Sequence, residues 1–221
     1  SFTVRNSPFA GLSLAETVGR HAKERQMGIF DFFKGKNKTN DKDKEPSLEH
    51  TAFSNSVKII IGETVEKFGF NFHRQEVERW FTTIIYRNDK RYIKVSGSTH
   101  WHDYPDSYNI ILGEGDSEDI YEYDWNSIAL WRLKKAIDPS LKAQEYSFPR
   151  NEQIMHSLEN AKHELLKYGE SFLNNDLTLF YETRKNQNKN REPYKIHAPD
   201  KEGKYQTTYE PKSVEQKKKY S

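Results

Sequence analysis

Apolar side chains recur at helical spacing in two long stretches of the chain. The first stretch has its apolar residues at Phe53, Val57, Ile60, Ile61, Val65 and Phe68. This spacing predicts an amphipathic helix over residues 48–68, with Gly69 as its stop signal. The second stretch has them at Ile154, Leu158, Ala161, Leu165 and Phe172. It predicts a helix over about 151–173, and Asn174, Asn175 and Asp176 then cap a shorter one.

Between the two helices, β-branched and aromatic residues form short runs separated by turn residues. The runs at 80–86, 91–95 and 108–112 predict three strands, with a turn at 87–90 and a further strand start at 70–72. Residues 125–137 predict a short buried helix or a strand. The expected fold is therefore α+β. It is an antiparallel β-meander of three to five strands packed against two long amphipathic helices and shorter C-terminal helices.

The chain divides into four parts by composition. With 221 residues, 34% hydrophobic and 14% aromatic, it holds material for one ordinary domain with extensions. Residues 47–182 are predicted to be that single domain. Residues 1–26 are interpreted as a non-native or upstream leader, and 27–46 as an amphipathic start followed by a charged linker. Residues 183–221 are polar and Lys-rich, which predicts a basic tail without regular structure.

The net charge of +2 is unevenly distributed. Residues 27–182 contain 20 Lys and Arg against 26 Asp and Glu, whereas residues 183–221 contain 11 against 5. An acidic body favours a basic partner and repels nucleic acid. The basic tail, without aromatic interleaving or a predicted fold, does not alter the expectation of no specific nucleic-acid partner.

The absence of cysteine removes several classes of chemistry. Without it the chain has no disulfide, no thiol catalysis and no Cys-based zinc site. This composition is consistent with a reducing compartment, and we expect a cytoplasmic location. No apolar run approaches the roughly 18 residues that a membrane span requires, so we expect no transmembrane segment.

An acidic connection with neighbouring aromatic residues follows the meander. Its residues are Glu114, Asp116, Glu118, Asp119, Tyr121, Glu122, Tyr123, Asp124 and Trp125. The spacing does not match a calcium-binding loop. Clustered like charge accelerates association with a basic partner, and aromatic residues are frequent in interface hot spots. We therefore predict a protein-binding surface here, without a cofactor.

His100 and His102 support an alternative function. On a strand, residues i and i+2 share a face, so both imidazoles could bind one metal and activate a water for hydrolysis. A zinc site needs a third ligand, for which His73 or a carboxylate of the acidic connection is available. Two histidines without a fixed third ligand recur by chance, so a solvent-facing loop is favoured over a metal site.

Other activities have weaker support. Motifs for a serine nucleophile, a phosphate-binding loop and a dinucleotide site are missing, which favours a protein without enzymatic activity. Residues 27–36 (MGIFDFFKGK) place Ile29, Phe30, Phe32 and Phe33 close together. This segment could touch a membrane surface, although docking on its own domain is favoured because stable anchoring needs a second signal.

The order of elements resembles that of small α+β domains of bacterial genomes. More loosely, it is similar to immunity proteins encoded beside polymorphic toxins. The likeness rests on FTTIIYRN, YNIILGEG and DWNSIALWRLK within residues 48–182. It implies a protein that blocks a toxin's active site, often with an acidic surface, and its partner would then be a basic toxin domain.

Overall fold

A computed structural model describes residues 45–115, 125–199 and 203–221. The predicted leader at 1–26 and the segment at 27–36 lie outside these residues. The helical elements are α1 (Leu48–Val57), a π-helical stretch (Lys58–Gly62), α2 (Glu63–Glu66), a 3-10 turn (Trp101–Asp103), α3 (Leu130–Ile137), α4 (Gln153–Tyr168), α5 (Glu170–Leu173), α6 (Thr178–Asn188) and α7 (Pro211–Tyr220). The strands are β1 (Asn71–Val77), β2 (Phe81–Arg87), β3 (Arg91–Ser98), β4 (Ser107–Glu114), β5 (Ser127–Ala129), β6 (Tyr146–Ser147), β7 (Lys195–Pro199) and β8 (Tyr205–Tyr209).

The main sheet is an antiparallel meander, as the sequence predicts. Its strands lie in the order β1-β2-β3-β4-β5, and β6 also pairs with β4. The register aligns Ile84 with Val95, and Val95 with Ile110, so apolar residues of three strands share one face. The predicted α+β class is confirmed, with six strands in this sheet.

The main core lies between this face and the helices. Phe53 of α1 packs edge-on against Tyr108 of β4, with ring centroids 5.3 Å apart. Leu158 and Leu165 of α4 are fully buried in the same cluster. The apolar stripe of each long helix therefore faces the sheet, which is why the helical spacing was visible in the sequence.

The opposite face of the sheet is also buried but has a more polar character. Ile85 and Tyr92 form a separate apolar cluster there, and Lys94 is almost fully buried. The Tyr92 ring covers Gly113, where any Cβ would lie within 2.1 Å of the ring. The glycine at this point of β4 therefore leaves the space in which the Tyr92 ring lies across the strand.

The first predicted helix is confirmed and is interrupted by the π-helical stretch. The Ser47 hydroxyl accepts a hydrogen bond from the His50 amide at 3.1 Å and so caps α1. Gly69 has φ +80°, the left-handed conformation that ends many helices. The predicted stop signal is therefore correct.

The second half of the body also follows the prediction closely. Residues 125–137 contain both expected alternatives, because the strand β5 continues directly into the helix α3. The predicted helix over 151–173 is divided at Gly169 into α4 and α5. Asp176 supports the start of α6, since its Oδ1 accepts a hydrogen bond from the Thr178 amide at 3.1 Å.

The prediction of a tail without regular structure does not match the structure. Residues 183–199 and 203–221 contain most of α6, the β7–β8 hairpin and α7. Polar contacts hold this segment on the body: the Asn188 side-chain amide donates to the carbonyl oxygens of Trp125 (2.8 Å) and Tyr220 (3.0 Å). Composition alone missed these contacts because they join residues far apart in sequence.

Candidate interaction site

An exposed aromatic turn connects β3 to β4. It comprises His100, Trp101, His102, Asp103 and Tyr104, with the 3-10 turn at its centre. The Trp101 side chain is 73% exposed and that of Tyr104 is 77% exposed. Large aromatic side chains are usually more buried than this. We call these five residues the aromatic turn.

Hydrogen bonds hold the backbone of the aromatic turn in place. The Ser98 hydroxyl donates to Asp103 Oδ2 at 2.7 Å and accepts from the His100 amide at 3.2 Å. The Asp103 amide donates to the His100 carbonyl at 2.7 Å. The Thr99 amide donates to the carbonyl of Trp80 at 2.9 Å, which joins the turn to the start of β2. The exposed rings therefore project from an ordered base.

Below the turn, His50 connects α1 to the sheet. This residue is fully buried. Its Nδ1 lies 2.7 Å from the Thr82 hydroxyl and its Nε2 lies 3.0 Å from the Thr99 hydroxyl. Its ring packs against Phe148, with centroids 4.7 Å apart. Burial lowers the pKa of His50 to about 4, with a smaller opposing effect of Asp106, so the imidazole is neutral at pH 7.

The structure changes the geometry expected of His100 and His102. They lie in and beside a 3-10 turn and not on a strand. The His102 amide donates to His100 Nδ1 at 3.3 Å, so this nitrogen already accepts a hydrogen bond within the turn. The ring centroids are 5.2 Å apart. Across residues 45–115, 125–199 and 203–221, no group of three His, Asp or Glu side chains is arranged to hold a metal ion.

A metal site at His100 and His102 stays a prediction, because its proposed carboxylate donors include residues outside the described ranges. We expect that protein purified without chelator contains no stoichiometric zinc and that added zinc leaves its thermal midpoint unchanged. Elemental analysis and a melting curve with one equivalent of zinc measure this. A rise of several degrees that disappears in His100→Ala would instead establish the site, since ligands that bind the folded state stabilise it.

Glu114, the first residue of the predicted acidic surface, is neutralised within the chain. Arg184 Nη1 donates to its Oε1 at 2.6 Å, and the Tyr181 hydroxyl donates to its Oε2 at 2.9 Å. The Arg184 guanidinium also lies over the rings of Tyr181 and Tyr220, 4.9 and 4.8 Å from their centroids. The Glu114 carboxylate is thus already paired with a cation of α6.

Trp125, the last residue of that surface, lies in the interior. It is fully buried. Its Nε1 donates to the Ser213 hydroxyl at 3.2 Å, and the Arg191 guanidinium lies 4.5 Å from its ring centroid. The structure therefore gives Trp125 a packing role where the sequence predicted an exposed contact. The other predicted binding residues lie outside the described ranges: Asp116, Glu118, Asp119, Tyr121, Glu122, Tyr123 and Asp124.

A second polar cluster ties the helices to the sheet. The Tyr146 hydroxyl donates to Glu164 Oε2 at 2.7 Å, and Lys134 pairs with Glu164 Oε1. Burial, followed by the contact with Glu164, raises the pKa of Tyr146. Burial likewise raises the pKa of Tyr108, to about 12. Both phenols stay protonated at neutral pH, so they are poorly suited to general acid–base catalysis there.

No role for Trp101, Tyr104 or His50 follows from the sequence alone. Trp101 was visible only as the spacer between two histidines. The sequence signal was present, since WHDYPD combines two aromatic residues with Pro and Asp, which favour a turn. Nothing local marks His50, because both of its partners are distant in sequence.

Comparison of the chain with protein-family models, curated proteins and solved structures finds no match. A functional conclusion therefore depends on the geometry of the site. Among the described helices, none combines the length and the apolar character needed to cross a membrane.

Proposed function

We propose that this protein is a non-catalytic protein-binding domain whose contact surface is centred on the aromatic turn. The exposure of Trp101 and Tyr104 on an ordered turn is the observation that supports this proposal. Tryptophan and tyrosine dominate interface hot spots because they bury a large area with few rotatable bonds. A turn already held by hydrogen bonds also loses little conformational entropy on binding.

The partner that we propose is a basic protein domain. Residues 27–182 have six more acidic than basic residues, and the segment 183–221 that packs on them has six more basic than acidic ones. Attraction for a positively charged partner therefore comes from acidic parts of the surface and not from the net charge. The acidic connection would add to this attraction from outside the described residues. In this proposal the protein acts as an immunity protein that binds and blocks a basic toxin domain in the cytoplasm. The loose likeness to such proteins supports the same choice.

The contribution of the aromatic turn can be tested with two alanine substitutions. We expect Trp101→Ala and Tyr104→Ala each to weaken binding to a cognate basic domain by at least about 2 kcal/mol, roughly thirtyfold, as hot-spot residues do. The probe is the purified product of the adjacent gene, and affinity is measured by isothermal titration calorimetry. Ile137→Ala is a matched control, because Ile137 is an exposed apolar residue of α3, 48% exposed, outside the turn.

A charge-reversal variant separates the two parts of the proposal. Glu118→Lys, Asp119→Lys and Glu122→Lys together should slow association and reduce its dependence on salt. The central role of the aromatic turn would be refuted if this variant abolished binding while Trp101→Ala and Tyr104→Ala bound normally. Unchanged binding in all three variants would refute the whole proposed surface.

A further inference from the structure

The β7–β8 hairpin forms an exposed ribbon in the basic segment of the chain. Every residue of β8, from Tyr205 to Tyr209, is exposed, and four of the five residues of β7 are exposed as well. We call β7 and β8 together the C-terminal ribbon. The rings of Tyr205 and Tyr209 are among these exposed side chains, so a ligand can reach them.

One face of the C-terminal ribbon carries most of its rings. The register pairs Lys195 with Tyr209, His197 with Thr207, and Pro199 with Tyr205, and these residues share a face. Tyr205 is 76% exposed and Tyr209 is 47% exposed. The opposite face carries Ile196, Ala198, Gln206 and Thr208. The two faces therefore differ sharply in aromatic content.

The rings on this face form a row. Tyr205 and Tyr209 are four residues apart on one strand, which separates them by about 13 Å. His197 lies between them on the neighbouring strand, with its Nδ1 2.8 Å from the Thr207 hydroxyl, which fixes the ring. Lys195 Nζ lies 5.7 Å from the centroid of Tyr209. In proteins that bind single-stranded nucleic acid, successive bases stack on aromatic rings arranged in such a row.

The charge around the C-terminal ribbon favours a polyanion. Residues 183–221 have 11 Lys and Arg against 5 Asp and Glu, the reverse of the body. The helix α7 follows the ribbon and carries Lys217, Lys218 and Lys219 in its last turn. Lys195 lies on the same face as the rings, and its ammonium group, which also pairs with Glu192 at 3.0 Å, can contact a phosphate while the rings contact bases.

We propose that the C-terminal ribbon binds single-stranded nucleic acid without sequence preference. Bases stack on Tyr205, His197 and Tyr209, and lysines of the same segment contact the phosphates. The sequence argued against this function because the tail was expected to have no fold and no aromatic interleaving. The pairing of β7 with β8 gives this segment a fold, and it brings the rings of Tyr205, Tyr209 and His197 onto one surface beside basic residues.

The test measures binding of the full chain to fluorescein-labelled (dT)12 and U12 by fluorescence anisotropy. At 50 mM NaCl we expect saturable binding of both oligonucleotides, and a loss of at least tenfold in affinity at 200 mM NaCl. Tyr205→Ala and Tyr209→Ala should each weaken binding about fivefold or more, whereas Tyr205→Trp should retain it, because stacking needs a ring and not a hydroxyl.

The matched control is the double variant Gln206→Ala and Thr208→Ala on the opposite face, which should bind as the unchanged protein does. Trp101→Ala should also bind normally, so this proposal can fail or succeed independently of the proposed function. Three outcomes would overturn it: no binding at 50 mM NaCl, equal weakening by the control variant, or equally tight binding of poly-glutamate. The last would show that the surface recognises negative charge alone.

Discussion

Replacement of Trp125 with alanine is expected to lower the free energy of unfolding by about 3–5 kcal/mol, as the removal of a buried tryptophan typically does. Its side chain is fully buried although it borders the acidic connection. The C-terminal segment provides the cover, with Arg191 over the ring and Ser213 accepting from Nε1. The substitution removes these contacts together, and so it weakens the attachment of the segment as well as opening a cavity.

The measurement is urea unfolding followed by far-ultraviolet circular dichroism at pH 7. Ser213→Ala should cost a smaller amount, about 1–3 kcal/mol, because the Ser213 hydroxyl accepts from Trp125 Nε1 and from the Tyr194 amide at 2.9 Å. Trp101→Ala is the control, since an exposed tryptophan should change stability by no more than about 0.5 kcal/mol. Equal effects of Trp125→Ala and Trp101→Ala would contradict the burial of Trp125 by the C-terminal segment.

Acidification from pH 7 to pH 4 is expected to remove up to about 3 kcal/mol of stability through His50 alone. The folded pKa of His50 is about 4 and its ordinary value is 6.5. Between these values the unfolded chain binds the proton and the folded protein does not. The free energy of unfolding therefore falls as the pH drops from about 6.5 towards 4, and this contribution is fully present above that window.

A comparison of variants separates the contribution of His50 from that of carboxylates, which titrate over a similar pH range. Urea unfolding at pH 7.0 and at pH 4.5 gives the change in the free energy of unfolding between these two pH values, for the unchanged protein and for His50→Gln. The pH-dependent difference should shrink by about 2 kcal/mol in His50→Gln. His156→Gln, at an exposed position of α4, should keep the full difference. If His50→Gln and His156→Gln behaved alike, the neutral buried state of His50 would be refuted.

Protonation of His50 should also loosen the aromatic turn. In the neutral ring one nitrogen donates and the other accepts. Its two nitrogens lie against the hydroxyls of Thr82 and Thr99, and Thr99 immediately precedes His100. A second proton would place two donors on a ring that is buried against Phe148. Loosening of the turn at acidic pH therefore follows from the same contacts that hold it at neutral pH.

The parts of the fold that the sequence predicts well are those governed by local periodicity. The spacing of Phe53, Val57 and Ile61 identifies the buried side of the first helix without any knowledge of its neighbours. β-branched runs such as Thr82 to Ile85 mark strands for the same reason, because side-chain crowding acts within a few residues. Gly69 marks a helix end since its conformation is set locally.

The candidate site was predicted less well because its residues depend on distant partners. Charge density directed attention to the acidic connection, but charge does not show that Glu114 is paired with Arg184, 70 residues later. Aromatic character placed Trp125 on a surface, although Ser213 and Arg191 enclose it. The two histidines suggested a metal, while Trp101 and Tyr104 beside them have the exposed rings.

By itself the sequence determined the α+β class, the meander and the apolar faces of both long helices. A helix or strand with one buried face needs apolar residues at a short, regular spacing, and this spacing is visible in the sequence. Only the tertiary structure decided that residues 183–221 include ordered elements, that Trp125 is internal and that the aromatic turn is exposed. The position of the aromatic turn depends on the pairing of β3 with β4. The other two depend on hydrogen bonds and ring contacts between residues far apart in the chain. Such contacts leave no periodic signal, because a single well-placed partner is enough to make them.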